Sequence, residues 1–145
     1  MITCHLAACA ASVVAADINP KAVKCTDANL RRNRLPGEVR MSDLFQNVPE
    51  RFDVIVFNPP YCPGTERDRL ALSWAGGPKG VEVTARFLAD APEHLLPDGR
   101  IIILLSTEME AQALEEALRP FRRTVLGRRR LFFEELWVEE LRPLD

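Results

Sequence analysis

The fold is decided by the stretch FDVIVFNPPY at positions 52–61, in which an apolar, β-branched run leads directly into Asn58, two prolines and a tyrosine. Such a run predicts a fully buried strand, and the proline pair ends it because proline cannot donate to a strand ladder. A buried strand that ends in an amide, two prolines and an aromatic ring is an unusual boundary. These four residues are therefore candidates for chemistry.

Short apolar runs alternate with helical stretches upstream of this strand. Positions 1–11 predict a buried helix, and Ser12–Asp17 predicts a continuous apolar strand. Asn19-Pro20 predicts the start of a second helix, because asparagine caps well and proline suits the first turn. Glu38–Asp43 predicts a shorter strand. The upstream part therefore reads as helix, strand, helix, strand.

The alternation continues downstream. A loop over 61–80 precedes a helix that Pro92 kinks or divides, and Pro97-Asp98-Gly99 predicts a turn before a buried strand at 100–106. Thr107 with Glu110 has the form of a capping box at the start of another helix. The last two β-like runs predict a terminal antiparallel pair, and they occupy positions 122–131 and 133–141.

This order predicts an α/β fold with a mostly parallel sheet covered on both faces, in one domain over residues 1–145. In such sheets, ligands bind beyond the carboxyl ends of the strands. The polar residues at three strand ends are Asp17, Asp43 and Asn58. An acid after a strand of a nucleotide-binding unit can accept hydrogen bonds from both ribose hydroxyls. Either acid alone could equally serve a helix dipole or a turn.

Composition and charge restrict the class of protein. The formal net charge is −2, from 19 basic and 21 acidic residues, so there is no overall attraction to nucleic acid. The late arginines, at 119–130, read as a solvated strand and turn, with an anionic partner as the minority alternative. The four cysteines show no metal-site spacing and predict buried thiols in a reducing cytoplasm. The apolar start lacks the charged region of a signal peptide and is too short for a membrane span.

The sequence Asn-Pro-Pro-Tyr solves a specific chemical problem. The nitrogen of an amide or an exocyclic amine is a poor nucleophile because its lone pair is delocalised. Two acceptors that orient the NH₂ group help to draw the lone pair out of conjugation, and they would be Asn58 Oδ1 and a carbonyl of the proline pair. Tyr61 offers a flat wall for a planar group. The predicted catalysis is positioning by fixed dipoles, without a strong base.

These residues also carry a family resemblance. NPPY after a strand, with ADINPKAV and SDLF upstream and SWAGGPKGVEVTARF and LLPDG downstream, resembles the class I S-adenosylmethionine-dependent methyltransferases that modify planar NH₂ groups. More narrowly, it resembles the HemK-type release-factor glutamine methyltransferases of the eukaryotic and archaeal branch. The resemblance covers nearly the whole chain, and it implies a Rossmann-like sheet with an antiparallel C-terminal strand.

The resemblance also implies partners and residue roles. The cofactor would be S-adenosyl-L-methionine, the substrate a peptide chain release factor methylated at N5 of a Gly-Gly-Gln glutamine, and a small zinc-binding subunit a possible activator. The loop from Trp74 to Gly77 would shape the substrate entrance, although a purely structural anchor fits Trp74 equally well. The cofactor residues implied are Asp17 for the ribose with Ile18 nearby, and Asp43 for the adenine amino group with Leu44 at the ring, together with Asn58. The substrate residues implied are Asn58, Pro59, Pro60 and Tyr61.

The chain departs from this family at its beginning. The family's cofactor domain starts with a strand and a Gly-rich turn, whereas the present sequence starts at the helix that follows them. That strand would lie between the strand ending at Asp17 and the strand ending at Asn58. We therefore expect an N-terminally truncated sheet, either because translation starts upstream or because the sequence is a fragment.

Three alternatives to glutamine methylation remain open. The same chemistry could act on adenine N6 in nucleic acid, although a near-neutral chain of this length offers little room for a basic groove. A non-catalytic, methyltransferase-like fragment would fit the missing glycines. A nicotinamide-binding domain would use Asp17 but leaves the Asn-Pro-Pro-Tyr sequence without a role.

Overall fold

A computed structural model describes residues 1–64 and 74–144. The chain divides into two compact units, Met1–Pro49 and Glu50–Asp145. Whether the units form the predicted single domain stays a prediction. None of the helices in the described part of the chain is long and apolar enough to cross a membrane.

The first unit has two helices and two strands: α1 (Ile2–Ala7), β1 (Val14–Asp17), α2 (Pro20–Arg32) and β2 (Glu38–Met41). Strands β1 and β2 pair in parallel. The predicted cap of α2 is confirmed, because Asn19 Oδ1 accepts a hydrogen bond from the Lys21 N–H at 2.9 Å and Pro20 is the first helical residue. The prediction of a buried first helix is wrong, since Ala7 is the only residue of α1 that is buried.

The second unit carries the remaining elements. They are β3 (Phe52–Phe57), α3 (Glu82–Asp90) with a 3₁₀ turn after it (Ala91–His94), β4 (Leu95–Ser106), α4 (Ala111–Leu118), β5 (Phe121–Arg130) and β6 (Glu135–Pro143). Its sheet has the order β3-β4-β6-β5. Strands β3 and β4 are parallel, whereas β6 is antiparallel to both of its neighbours. The antiparallel C-terminal strand and the α/β class are therefore confirmed.

One face of this four-stranded sheet is the core. The side chains of Ile101, Ile103, Leu105 and Leu141 are fully buried there, and the Phe57 ring stacks on Phe87 of α3 with centroids 4.1 Å apart. The alternate residues of β4, Ile102 and Leu104, are only half-buried. The second face of β4 is therefore less deeply buried than the core face within this unit, and cover on both faces of the whole sheet stays a prediction.

Strands β1 and β3 are less buried than their sequences predict. Each is an edge strand in the described sheets, since β1 pairs only with β2 and β3 only with β4. The residues of β1 range from half-buried to exposed, and those of β3 are half-buried except for the exposed Asp53. Continuous apolar runs normally occupy central strands, so the apolar pattern predicted more burial than the edge position provides.

Two local predictions in the second unit are corrected. Helix α4 is capped by Glu110, whose carboxylate accepts hydrogen bonds from the N–H groups of Gln112 and Ala113. The predicted cap, Thr107, uses its hydroxyl instead to accept from the Glu135 N–H at 3.0 Å. The Pro97-Asp98-Gly99 turn is absorbed into β4 as an irregularity at which the pairing with β3 shifts register, with Asp98 at φ 65°.

Candidate active site

The parallel pairing of β1 with β2 brings the two predicted acids of the first unit to one edge. Asp17 is in register with Met41, and the Asp17 carbonyl accepts a hydrogen bond from the Ser42 N–H at 3.0 Å. Asp43 follows directly. The structure therefore places Asp17 and Asp43 together beyond the carboxyl ends of their strands, where parallel sheets bind ligands.

The Asp17 carboxylate is exposed and only partly engaged. Its Oδ1 accepts the Asn19 N–H at 2.8 Å, which fixes the side chain at the start of α2. Its Oδ2 makes no hydrogen bond or ion pair with any residue that the structure describes. The next residue, Ile18, leaves 42% of its surface exposed. A fixed carboxylate oxygen beside an exposed apolar side chain suits a ligand that joins hydroxyl groups to a flat ring.

The loop after β2 is built around a buried hydroxyl. Ser42 Oγ donates to the Leu44 carbonyl at 2.9 Å and accepts from the Asn47 N–H at 2.9 Å. These bonds hold Leu44 at φ 49°, a left-handed conformation that is rare for a bulky residue and costs about 1–2 kcal/mol. Strain of this kind gathers at ligand sites, so the Asp43-Leu44 segment has the character of a binding loop.

The second unit carries the Asn-Pro-Pro-Tyr turn at the carboxyl end of β3. Asn58 is exposed, Pro59 is buried, and Pro60 and Tyr61 are half-buried. The Asn58 side-chain amide makes no hydrogen bond within the described part of the chain. An asparagine kept only to end a strand would be expected to bond to its own backbone. The Asn58 amide is instead presented to solvent on a rigid base.

Glycines of the following loop lie against the main chain of this turn. A Cβ added at Gly76 would stand 2.5 Å from the Pro60 carbonyl oxygen and 2.6 Å from that of Gly80. A Cβ at Gly80, which has φ 71°, would collide with the Tyr61 carbonyl oxygen. Only glycine allows this approach of backbone to backbone. The loop covers the Pro60 and Tyr61 carbonyls, which leaves the Pro59 carbonyl as the candidate acceptor of the pair.

Main-chain hydrogen bonds fasten the same loop to the turn. The Cys62 N–H donates to the Trp74 carbonyl, and the Gly76 N–H donates to the Cys62 carbonyl, both at 2.9 Å. Further on, the Gly64 N–H donates to the Gly77 carbonyl at 2.9 Å. The Trp74 carbonyl therefore acts as an anchor of the turn, while the Trp74 residue remains 39% exposed.

The surroundings of the turn are acidic. Burial raises the pKa of the Tyr61 hydroxyl, and the negative charge of Glu134 raises it further. Burial and the carboxylates of Glu134 and Glu108 likewise raise the pKa of the Cys62 thiol. These residues lie together because β4 ends at Ser106, on the same edge of the sheet as Asn58, and β6 begins opposite it.

The predicted site residues are thus distributed over both units. The structure places Asp17, Ile18, Asp43 and Leu44 in the first unit and residues 58–61 in the second, and their roles toward cofactor and substrate in a shared cleft stay a prediction. Sequence reasoning missed Glu108 and Glu134. The signal that could have pointed to them is the broken alternation of Phe-Phe-Glu-Glu at 132–135.

Comparison with known proteins identifies the kind of chain. The family model described as "Methyltransferase small domain" matches residues 1–129. A Methanocaldococcus jannaschii protein named "Putative protein N5-glutamine methyltransferase" is 37% identical over 135 residues, which make up 89% of the present chain and 68% of that protein.

Solved structures share the fold at lower identity. The E. cuniculi Mtq2–Trm112 complex, responsible for methylation of the eRF1 translation termination factor, matches with a TM-score of 0.61 at 21% identity, over 92% of this chain and 85% of that chain. The T. thermophilus 16S rRNA N2 methyltransferase RsmC, in complex with AdoMet and guanosine, matches with a TM-score of 0.64 at 23% identity, over 94% of this chain and 33% of that one. Both matches identify the same fold.

Proposed function

The chain belongs to the methyltransferase small domain family, and from this premise we propose that it methylates the side-chain amide nitrogen of a glutamine with S-adenosylmethionine as donor. The proposed acceptor is N5 of the glutamine in a Gly-Gly-Gln segment of a translation release factor, which would place the reaction in the cytoplasm. The names of the M. jannaschii relative and of the eRF1-methylating complex support this acceptor.

The observation that carries the proposal is the free Asn58 amide. Its Oδ1 can accept one hydrogen of a substrate NH₂ group, and the neighbouring Pro59 carbonyl can accept the other. The buried Pro59 ring and the glycine loop hold both acceptors in place before substrate arrives. Acceptors that need no reorganisation stabilise the transition state by several kcal/mol, in the range of about 3–4 kcal/mol for one well-placed group.

The residues of the turn divide the work of catalysis. Asn58 and Pro59 turn the nitrogen lone pair out of the amide plane, so that it becomes nucleophilic along one direction. Tyr61 is half-buried, burial raises the pKa of its hydroxyl, and its ring offers a neutral flat surface for the planar amide. The proton that the nitrogen loses after transfer can pass to solvent at the exposed Asn58.

The residues of the first unit fit S-adenosylmethionine. The free Asp17 Oδ2 suits the ribose hydroxyls, and the exposed Ile18 side chain and the strained Leu44 suit the faces of the adenine ring. Asp43 is the proposed acceptor for the adenine amino group. When bound, the cofactor supplies a methyl group made electrophilic by its attachment to a sulfonium sulfur.

A small activator subunit is part of the proposal. The solved relative that methylates eRF1 is a complex of two proteins, and a corresponding zinc-binding partner is proposed for the present chain. Such a partner would stabilise the methyltransferase by mass action, because ligands of the native state shift the folding equilibrium. Activity assays should therefore include both the chain alone and the chain with a subunit of this class.

The decisive variant is Asn58→Ala. It removes one acceptor while leaving the proline pair and β3 intact, so methyl transfer from labelled S-adenosylmethionine to a release factor should fall by about 10²–10³-fold. Calorimetric affinity for the cofactor should stay within a few-fold of wild type. Unchanged turnover in the Asn58→Ala protein would refute the assigned chemistry.

The cofactor half is tested separately. Asp17→Ala should weaken S-adenosylmethionine binding by at least tenfold, since it removes the carboxylate proposed to hold the ribose. Asp27→Ala is the matched control, because Asp27 is an exposed carboxylate of the same unit that pairs only with Arg31 in the described chain. Equal loss of affinity in both variants would show that general charge, and not the ribose contact, had been changed.

A further inference from the structure

A groove adjoins the Asn-Pro-Pro-Tyr turn in the second unit. It encloses about 500 Å³ and is open to solvent. Cys62, the residue directly after Tyr61, forms one side, and the connection between β5 and β6 forms the other. The lining residues are Cys62, Glu108, Leu131, Phe132, Phe133 and Glu134. The groove is therefore continuous with the turn proposed to hold the acceptor amide.

Two aromatic rings at the tip of the β5–β6 connection are fully presented to solvent. Phe132 is 100% exposed and Phe133 is 96% exposed, with ring centroids 6.4 Å apart and planes inclined at 42°. Covering each ring would contribute roughly 1.5–3 kcal/mol. Single exposed apolar residues need no explanation, but an adjacent pair of whole rings marks an interaction surface.

The acidic lip of the groove is held in place by a buried serine. Ser106, which is fully buried, donates from Oγ to the Glu134 carboxylate at 2.8 Å and accepts from the Glu108 N–H at 3.1 Å. The Glu108 carboxylate itself has no hydrogen bond or ion pair among the described residues. Burial raises the pKa of Tyr61 and of Cys62, and the nearby carboxylates of Glu134 and Glu108 raise both further.

Within the part of the chain that the structure describes, the arginines at the end of β5 do not cancel this charge. Arg128 pairs with Glu135 at 3.1 Å on β6, outside the groove lining. Arg129 and Arg130 lie on β5 and are likewise absent from the lining. A polyanion that entered the groove would meet the carboxylates of Glu108 and Glu134, whereas a cation would find partners there.

We propose that this groove binds the part of a protein substrate next to the methylated residue, as an extended segment with arginine or lysine and an apolar side chain. This proposal rests on the proposed function and adds the class of sequence that the site selects. Glu108 and Glu134 pair with the basic residue, and the rings of Phe132 and Phe133 cover the apolar one. An arginine can also stack on a phenylalanine face.

The binding test uses a fluorescein-labelled short peptide with a central Gly-Gly-Gln and with leucine and arginine on both sides. The wild-type protein should bind this peptide. It should bind a second peptide, in which glutamates replace the arginines, at least tenfold more weakly. Phe132→Ala/Phe133→Ala should weaken binding at least tenfold, as loss of central aromatic anchors does. Leu126→Ala, at an exposed apolar residue of β5, is the matched control and should change nothing.

The charge test uses Glu108→Gln/Glu134→Gln, which keeps shape and the acceptor for Ser106. This variant should weaken peptide binding about tenfold at low salt and should flatten its salt dependence, because Coulomb attraction is screened by ions. Glu93→Gln is the control, since Glu93 is exposed on the 3₁₀ turn that precedes β4, at the opposite edge of the sheet. Urea unfolding should show that all variants are folded.

Alkylation locates the peptide independently. Bound peptide should slow the reaction of iodoacetamide at Cys62, which lines the groove, and should leave the exposed Cys25 of α2 unaffected. Mass spectrometry of the two cysteines gives both rates in one sample. Equal protection of both residues, or of neither, would contradict binding in the groove.

The outcomes separate the two proposals. Three outcomes would each overturn the groove proposal. The first is equal peptide affinity in wild type and groove variants, and the second is no peptide binding at all. The third is tighter binding of single-stranded RNA that the Phe132→Ala/Phe133→Ala change abolishes. Methyl transfer that proceeds at the same rate in the groove variants would overturn the groove and leave the proposed function standing. Peptide binding that depends on the groove residues, without methyl transfer, would overturn the proposed function and leave the groove proposal standing.

Discussion

The replacement Gly76→Ala tests whether the loop that contains Gly76 and Gly80 sets the position of the Asn-Pro-Pro-Tyr turn. The added Cβ would lie 2.5 Å from the Pro60 carbonyl oxygen and 2.6 Å from that of Gly80, whereas carbon and oxygen approach to about 3.3 Å at closest. The loop and the turn must therefore separate by about 0.8 Å. Both neighbours are backbone atoms, so no side chain can rotate away. We expect a loss of about 1–3 kcal/mol in the free energy of unfolding.

The same displacement should affect catalysis more than stability. Misplacement of reacting groups by about 1 Å can cost 10²-fold in rate, so methyl transfer in Gly76→Ala should fall by about that factor. Urea unfolding and initial rates with labelled S-adenosylmethionine measure the two effects. The control is Gly127→Ala, because a Cβ at Gly127 meets nothing within 4 Å and should change stability by less than about 0.5 kcal/mol. Wild-type stability and rate in Gly76→Ala would refute the clamping role of the loop.

Three further predictions concern the second unit. Arg123→Met should lower the free energy of unfolding in urea by about 3 kcal/mol, because the buried Glu139 carboxylate loses its two hydrogen bonds from Arg123 at 2.7 and 2.9 Å. If Arg123→Met/Glu139→Leu does not recover stability, the unpaired carboxylate is not the cause of the loss. Thr84→Val should keep or raise stability by up to about 1 kcal/mol, because the buried Thr84 hydroxyl has no partner among the described residues, and a loss beyond 1 kcal/mol would contradict this. Glu134→Gln should lower the pKa of Cys62, since it removes a negative charge that raises that pKa. In a protein with Cys62 as its one cysteine, iodoacetamide alkylation should then begin at lower pH. An unchanged pH profile of alkylation would exclude the interaction between Glu134 and Cys62.

Much of the fold follows from local patterns in the sequence. The Asn19-Pro20 start of α2 was predictable because a cap depends only on residues within one turn. The Thr107 cap was predicted wrongly because its hydroxyl is taken by Glu135, a partner 28 positions away. A capping pattern contains no information about such distant competitors. The prediction that β1 and β3 are buried failed for a related reason. An apolar run indicates a preference for burial, whereas the position of the strand in its sheet determines how much of it is exposed.

The candidate site divides along the same line. The candidate acceptor set at Asn58 could be proposed from the sequence because its residues lie within four consecutive positions, and its role stays a prediction. The support for that set was not, because Gly76 and Gly80 are separated from it by a long loop and act through the absence of side chains. The sequence showed the glycines, but only the structure shows which carbonyl each one approaches.

The electrostatics of the site illustrate why net charge is a weak guide to substrate class. A formal charge of −2 over the chain excluded little beyond a strongly basic surface. The local charge depends on Ser106, which bonds the Glu134 carboxylate and the Glu108 N–H, and on Arg128, which pairs with Glu135 outside the groove lining. Since Coulomb interactions in solution act over about 10 Å, a substrate senses this arrangement and not the total. In the proposed function, the choice between a basic peptide and a nucleic acid is therefore made at the lip of the groove, by residues outside the motif proposed to perform the chemistry.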